Sequence, residues 1–263
     1  MFIARASFGD EVFYGVVEGL DAQGIPAADS TIEVLDKHPL LGTVSTTGEV
    51  HSLADVRLLP PVLPTKIIGI GKNYADHAKE MGGEVPAEPV CFLKPSTTLI
   101  GTGDAIRIPW QTEHIEHEVE LAVVISRPAR NISKAEALDY VFGYTVANDV
   151  SARDLQKKDG QWTRAKGFDT FLPLGPWIAT HVNPNDLELK TYVNDELKQN
   201  ANTSLMVNDV AALISWCSEI MTLLPGDVIL TGTPAGVSPI VDGDVVQCVI
   251  SGIGEIINTV ESA

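Results

Sequence analysis

Three carboxylates at alternate positions stand directly before an apolar run, in the segment Glu116–Glu120. Alternate side chains of an extended strand share one face, so Glu118 and Glu120 would project together, about 7 Å apart at their Cα atoms. Two like charges at that separation repel each other unless a cation lies between them. The pattern therefore indicates a cation site. Glu116 shares the same face, so spacing alone leaves open which carboxylates serve, and the alternative is an acidic edge that faces solvent.

A further carboxylate, Asp149, ends the apolar run 142–147. An aspartate in that place is often a turn former or a helix N-cap, but it is also a natural third oxygen ligand. Three carboxylates without a histidine or cysteine set would select a hard ion, Mg²⁺ or Mn²⁺.

His77 and Glu80 lie three residues apart in a segment that predicts a short helix from Asn73 to Met81. Residues at this spacing share a helix face, so Glu80 could orient His77 and make it a general base toward water. The alternative is an ordinary surface pair. The following Gly82 and Gly83 would allow the segment to move as a lid.

Two further features could handle an anion. Lys166 stands in a chain with only 18 lysines and arginines against 35 acidic residues, although a single lysine is most often solvated. The turn Thr231–Pro234 follows a predicted strand and could present backbone N–H groups to an anion. It could equally be a plain tight turn.

Composition restricts the partners of the protein. The chain has 263 residues, is 44% hydrophobic and carries a net charge of −17. Such an acidic chain repels nucleic acid and anionic membrane surfaces. Its three cysteines are widely spaced, which argues against disulfides and a zinc site and predicts three buried thiols. The first residues lack the apolar core of a signal peptide, so we expect a cytoplasmic protein.

The elements that must position these residues are mostly short β-runs separated by turns. A hairpin is predicted around Gly9, a second hairpin over Asn194-Asp195, and an amphipathic helix over 208–221. The pair Ser133 and Glu136 forms a capping box that predicts a helix through about Tyr140. The proline-rich segment 60–64 predicts a domain boundary, with a small β-rich domain over 1–62 and the main domain over 63–263.

Taken in order, five motifs resemble the fumarylacetoacetate hydrolase superfamily. They are Gly71-Lys72-Asn73-Tyr74-Ala75-Asp76-His77, Phe92-Leu93-Lys94-Pro95-Ser96, His117-Glu118-Val119-Glu120-Leu121, Asn148-Asp149-Val150-Ser151-Ala152-Arg153-Asp154 and Leu230-Thr231-Gly232-Thr233-Pro234. The resemblance runs from about residue 65 to the C-terminus. It implies a strand-rich, mixed α/β fold of the family's β-sandwich roll type with few helices, usually dimeric, and residues 1–60 look like the small N-terminal domain of many bacterial members.

The resemblance also implies roles for individual residues. Glu118, Glu120 and Asp149 match the family's metal carboxylates, and Lys166 matches its active-site lysine. Gln156 and Thr233 match positions that contact the substrate. His77 and Glu80 match the family's His–Glu dyad. Glu116 would then lie outside the metal set. Gly167 departs from the family pattern, where serine is more frequent.

The implied activity is cleavage of a carbon–carbon bond in a small 2-oxo acid through an enolate, with Mg²⁺ or Mn²⁺ as cofactor. The His–Glu dyad favours the oxaloacetate decarboxylase and acylpyruvate hydrolase branch. One alternative is 2-hydroxyhepta-2,4-diene-1,7-dioate isomerase or 5-carboxymethyl-2-oxo-hex-3-ene-1,6-dioate decarboxylase activity. A protein that binds a 2-oxo acid or a metal without catalysis is the other alternative, and it would be expected to lack part of this residue set.

Overall fold

A computed structural model describes residues 1–262, and within them the fold is strand-rich with four short α-helices. The strands are β1 (Phe2–Phe8), β2 (Glu11–Leu20), β3 (Pro26–Leu35), β4 (Thr46–Ser52), β5 (Arg57–Leu59), β6 (Ile67–Gly71), β7 (Val90–Lys94), β8 (Leu99–Ile100), β9 (Ile106–Ile108), β10 (Ile115–Glu116), β11 (Val119–Ile125), β12 (Val141–Asn148), β13 (Ser151–Ala152), β14 (Leu172–Ala179), β15 (Glu188–Val193), β16 (Glu196–Asn202), β17 (Val228–Leu230), β18 (Val245–Ile250) and β19 (Gly254–Ser262). The helices are α1 (Ala75–Glu80), α2 (Arg153–Asp159), α3 (Thr163–Lys166) and α4 (Val210–Ile220). The predicted fold class is confirmed.

Three sheets build the molecule. The largest has twelve strands in the order β4-β3-β2-β1-β14-β12-β11-β17-β6-β7, with β5 added beside β1 and β8 beside β14. A five-stranded sheet runs β16-β15-β18-β19-β9, and β10 pairs with β13. Because β1 hydrogen-bonds to β14, strands from both sides of the proline-rich segment share one sheet. The division at residue 62 stays a prediction.

Both predicted hairpins and the predicted long helix form. Strands β1 and β2 pair along their length, and Asn194 and Asp195 both adopt positive φ between β15 and β16, as a two-residue hairpin turn requires. Asp209 caps α4 by accepting a hydrogen bond from the Ala212 N–H. The apolar stripe of α4 is buried, so its spacing reflects core packing.

The helix predicted after Ser133 is wrong. The capping contact forms, with Ser133 Oγ 2.6 Å from a Glu136 oxygen, but only a 3₁₀ turn, Ala137–Tyr140, follows it. At Val141 the chain enters β12 and pairs with β11. This pairing leaves no room for a full helix, so tertiary context overrides the local signal. The other 3₁₀ turns are Leu53–Asp55, Ser96–Thr98 and Thr203–Leu205.

The prediction for the thiols holds in part. Cys217 and Cys248 are buried, whereas Cys91 is half-buried, and all three are free. Cys91 lies on β7, which occupies the end of the large sheet, so one side of that strand has no neighbouring strand to cover it. None of the helices in residues 1–262 is long and apolar enough to cross a membrane.

Candidate active site

The carboxylates Glu118, Glu120 and Asp149 meet because of strand register. In the antiparallel pair β11–β12, Val119 lies opposite Asn148, so Glu118 and Asp149 follow at the same end, and the Asp149 N–H donates to the Glu118 carbonyl at 2.8 Å. One oxygen from each of the three carboxylates lies within 4.8 Å of the others, and all three residues are buried. The alternative interpretation, an acidic edge that faces solvent, is therefore wrong for these three carboxylates.

Glu116 does not belong to this cluster, although it lines the same cavity. Its Oε2 accepts a hydrogen bond from Arg153 Nε at 2.5 Å, and its Oε1 lies 2.9 Å from His114 Nε2. Arg153 also places Nη2 2.5 Å from Glu118 Oε1. Spacing could not separate Glu116 from the other glutamates because its partner comes from α2, which follows much later in the sequence.

Two buried lysines neutralise the carboxylates. Lys166 Nζ lies 2.6 Å from oxygens of both Glu118 and Asp149, so this lysine is not solvated. Lys94 Nζ donates to the other Asp149 oxygen at 2.6 Å and to the Lys166 carbonyl at 2.5 Å. Sequence reasoning quoted Lys94 in a motif but gave it no role. The available signal was a lysine at the end of the strand Val90–Lys94, which would have to lose its hydration or find a partner.

Burial and neighbouring charges shift the pKa values of Glu118 and Glu120 in opposite directions. Desolvation, followed by the charges of Asp149 and Glu118, raises the pKa of Glu120 well above its usual value. Desolvation also acts to raise the pKa of Glu118, but Lys166 and Arg153 outweigh it and hold that pKa well below its usual value. Desolvation lowers the pKa of Lys94 despite its contact with Asp149. Glu120 is therefore the carboxylate whose charged form the surrounding residues stabilise least.

The cluster fits a hard divalent cation. Within residues 1–262 Glu120 forms no ion pair, and its Oε2 accepts only the Gly232 N–H at 2.7 Å. This contact shows that the predicted Thr231–Pro234 turn directs a backbone N–H at a carboxylate of the chain itself. The buried hydroxyl of Tyr74 also has no hydrogen-bond partner among the described residues. An all-oxygen donor set in which Glu120 has no ion-pair partner among residues 1–262 suits Mg²⁺ or Mn²⁺.

His77 and Glu80 lie on α1, and His77 is buried instead of lying on the surface. His77 Nδ1 lies 3.1 Å from Glu80 Oε2, and the other Glu80 oxygen accepts the Gly236 N–H at 3.0 Å. Glu80 is thus held at both oxygens, and it orients the imidazole with Nε2 left without a partner in residues 1–262. With this geometry, His77 could act as a general base that Glu80 positions.

One cavity of about 740 Å³ contains every residue assigned from the sequence. It is lined by His77, Glu80, Glu118, Glu120, Asp149, Gln156, Lys166 and Thr233. Phe92 and Trp162 form an aromatic wall with ring centroids 5.3 Å apart. Gly71 permits this wall, since a Cβ there would lie 2.4 Å from the Trp162 ring.

Gln156 and Thr233 differ in what they can offer a ligand. Gln156 Oε1 accepts from Arg153 Nη1 at 3.0 Å, which leaves its NH₂ group as a donor. Thr233 Oγ1 donates to the Val119 carbonyl at 2.9 Å and accepts from Gln199 Nε2 at 2.8 Å. The single hydroxyl hydrogen of Thr233 is therefore already committed, so its side chain can only accept from a ligand.

Comparison with known protein families matches this architecture. Residues 66–261 match the model of the fumarylacetoacetate (FAA) hydrolase C-terminal domain, and residues 1–61 match that of the Rv2993c-like N-terminal domain. The chain belongs to the fumarylacetoacetate hydrolase family.

Three relatives illustrate the range of names in the family. Protein Rv2993c of Mycobacterium tuberculosis is 52% identical over 99% of this chain and 98% of its own length. Oxaloacetate tautomerase FAHD1, mitochondrial, of Oryza sativa subsp. japonica is 48% identical over 73% of this chain and 87% of its own length. The crystal structure of 2-hydroxyhepta-2,4-diene-1,7-dioate isomerase from Mycobacterium marinum is 50% identical, with a TM-score of 0.91 over 100% of this chain and 98% of that one.

Proposed function

We propose that this protein is a divalent-metal-dependent enzyme that interconverts the keto and enol forms of a small 2-oxo diacid such as oxaloacetate. The observation that carries the proposal is that one cavity holds both a cation-binding carboxylate cluster and an oriented His77–Glu80 pair. The cluster suits charge that develops on an oxygen, and the pair suits proton transfer at carbon.

The names of the relatives support this reaction class. A tautomerase of oxaloacetate and an isomerase of a 2-hydroxy dienoic diacid both relocate a proton next to a 2-oxo or 2-hydroxy group. The two relatives are 48% and 50% identical to this chain. One site that stabilises an enolate would serve either substrate. The size of the cavity would then determine the length of the diacid that binds.

The negative charge of the enolate must be stabilised for the reaction to proceed. A divalent cation held by Glu118, Glu120 and Asp149 would supply Lewis-acid stabilisation of the oxygen at C2. Lys166 adds a buried positive charge beside the same carboxylates, in a site where water screening is weak. Gln156 offers its NH₂ group to the substrate carboxylate.

His77 is assigned the proton transfer. Its Nε2 accepts the proton from C3 of the keto form, while Glu80 holds Nδ1–H and stabilises the imidazolium that results. Return of that proton to the oxygen at C2 gives the enol. Reversal of these steps gives the keto form, so no net proton is consumed.

Carbon–carbon bond cleavage is a second candidate, as oxaloacetate decarboxylase or acylpyruvate hydrolase. It is favoured by a cavity of about 740 Å³, which is large enough for a small 2-oxo acid and a water molecule together. In hydrolysis, His77 with Glu80 would deprotonate that water, which attacks the distal carbonyl and releases pyruvate enolate. In decarboxylation, the distal carboxylate leaves as CO₂ without a nucleophile.

A substrate panel tests these candidates. Purified protein is given oxaloacetate, acetylpyruvate and a longer 2-hydroxy dienoic diacid, each with Mg²⁺, Mn²⁺ or EDTA. Keto–enol conversion is followed by the enol absorbance and cleavage by pyruvate release. Metal-dependent enol conversion that exceeds pyruvate release supports the tautomerase, and the reverse ratio supports cleavage. Bound metal without turnover on any substrate would favour a non-catalytic binding protein.

We also propose that the protein is a homodimer, as the family resemblance implies. From its net charge of −17 and its N-terminal sequence, we propose that it is cytoplasmic and has no nucleic acid or membrane partner. Light scattering of the purified chain tests the dimer. A mass near that of one 28.2 kDa chain would contradict it.

A further inference from the structure

A second set of polar side chains lies against the backbone of Val119, the residue between Glu118 and Glu120. Gln199 of β16 is fully buried and makes five hydrogen bonds through its amide. Its Oε1 accepts from the Val119 N–H at 3.1 Å, from Thr191 Oγ1 at 2.8 Å and from His117 Nδ1 at 3.0 Å. Its Nε2 donates to Thr233 Oγ1 and to the Pro234 carbonyl, both at 2.8 Å. We call Gln199, His117, Thr233 and Ser238 the Gln199 chain.

Hydrogen bonds in the Gln199 chain run in one direction. The Val119 N–H can only donate and the Pro234 carbonyl can only accept, so these two backbone groups fix the orientation of the Gln199 amide. His117 Nδ1 must therefore donate to Gln199. Its Nε2 then accepts from the Ser238 hydroxyl, 2.9 Å away, and at the other end the Thr233 hydroxyl donates to the Val119 carbonyl.

The Gln199 chain holds a loop that reaches the dyad. The loop 232–238 follows β17 and contains Thr233, Gly236 and Ser238. Gly236 adopts φ +101°, and a Cβ there would lie 2.2 Å from the carbonyl oxygen of Lys198, next to Gln199. The loop therefore packs against two neighbouring residues of β16, Lys198 and Gln199. Its Gly236 N–H is the group that holds Glu80.

We infer that Gln199 and His117 are positioning residues that set the loop 232–238, so that the loop both places Thr233 in the cavity and holds Glu80 against His77. Neither residue lines the cavity. Both reach the loop through hydrogen bonds, Gln199 to Thr233 and His117 to Ser238. The inference rests on the proposed function only for its effect on turnover, since the restraint on α1 exists with or without substrate.

His117→Leu is the most direct test, because it leaves no buried group without a partner. Gln199 Oε1 keeps two donors, and Ser238 is half-buried and can reach water. With saturating metal, we expect kcat to fall by about 100-fold with little change in KM, as for a misplacement of about 1 Å at a reacting group. Hydrogen exchange should become faster in residues 75–80 and 232–238.

Two variants separate positioning from plain destabilisation. His117→Asn retains an N–H that can donate to Gln199, so it should recover most of kcat and the slow exchange. Thr145→Val removes a buried hydroxyl of β12, which donates to the Gly175 carbonyl at 2.9 Å. This variant should have a lower melting temperature but unchanged kcat and unchanged hydrogen exchange in both segments.

Unchanged exchange in residues 75–80 and 232–238 of folded His117→Leu would overturn the inference, whatever the turnover. If the wild type turns over none of the substrates, the proposed function fails and the exchange comparison alone decides the positioning role. If His117→Leu does not fold, Ser238→Ala takes its place, because it cuts the same link by removing one half-buried hydroxyl. Faster exchange in both segments is then expected, and unchanged exchange again contradicts the inference.

Discussion

Replacing Lys94 by methionine should reveal how strongly the carboxylates depend on cations. Methionine is of similar length but carries no charge, so Lys94→Met removes a fully buried ammonium that contacts Asp149 Oδ1 at 2.6 Å and the Lys166 carbonyl at 2.5 Å. Lys166 still neutralises part of the Asp149 charge. Removing one partner from a buried pair typically costs about 3–5 kcal/mol, and the remaining lysine places the expected loss near the lower limit, about 3 kcal/mol.

Urea unfolding of Lys94→Met, with EDTA and with saturating Mg²⁺, measures this loss. We expect Mg²⁺ to restore part of the stability, because a bound cation would neutralise the same oxygens. Lys198→Met is the matched control, since Lys198 pairs with the exposed Glu196 at 2.7 Å, and it should change stability by less than about 1 kcal/mol. A loss below about 1 kcal/mol for Lys94→Met in EDTA, comparable with the exposed control, would refute the reasoning.

Three further predictions address the cation, the dyad and the thiols. Because the pKa of Glu120 is raised, cation binding must displace its proton, so Mg²⁺ affinity measured by calorimetry should weaken as the pH falls; a pH-independent affinity would contradict this. His77→Ala should lower tautomerisation and hydrolysis by about 100-fold or more but decarboxylation much less, and equal losses in separate assays would favour a lid-closing role instead. Burial raises the pKa of the Cys217 and Cys248 thiols to about 12, so a thiol reagent should modify only Cys91 in the native protein and all three cysteines after unfolding.

Much of the site could be predicted because several of its residues are close to one another in the sequence. Glu118 and Glu120 lie two residues apart at the start of β11, and His77 and Glu80 lie one helical turn apart, so local periodicity already places each pair together. The position of Asp149 beside Glu118 follows from pairing of β11 with β12, which spacing alone does not give. The family resemblance supplied that long-range part.

Other parts could not be predicted because their partners are remote in the sequence. Glu116 looks equivalent to Glu118 until α2 brings Arg153 to it. Lys94 acquires meaning only when β7 places it against Asp149, 55 residues later. The capping box at Ser133 failed for the same reason, since pairing of β12 with β11 outweighs a local helix signal.

The order of the strands in the large sheet also could not be predicted from the sequence. Short β-runs predict strands but not which strands are neighbours. The parallel pairing of β6 with β17 places the Asn73 side chain against the Thr231 carbonyl at 2.8 Å, and so brings α1 beside the loop 232–238. The dyad meets the carboxylates through this pairing.

The central claim is that the carboxylate cluster and the His77–Glu80 pair act together on the enol of a 2-oxo diacid. The most direct measurement is the rate at which the enol absorbance of oxaloacetate decays, with the protein treated with EDTA and then resupplied with Mg²⁺ or Mn²⁺. We predict acceleration that EDTA abolishes and added metal restores, and that Asp149→Ala lacks under all conditions. Acceleration that persists in EDTA, or that survives in Asp149→Ala, would contradict it.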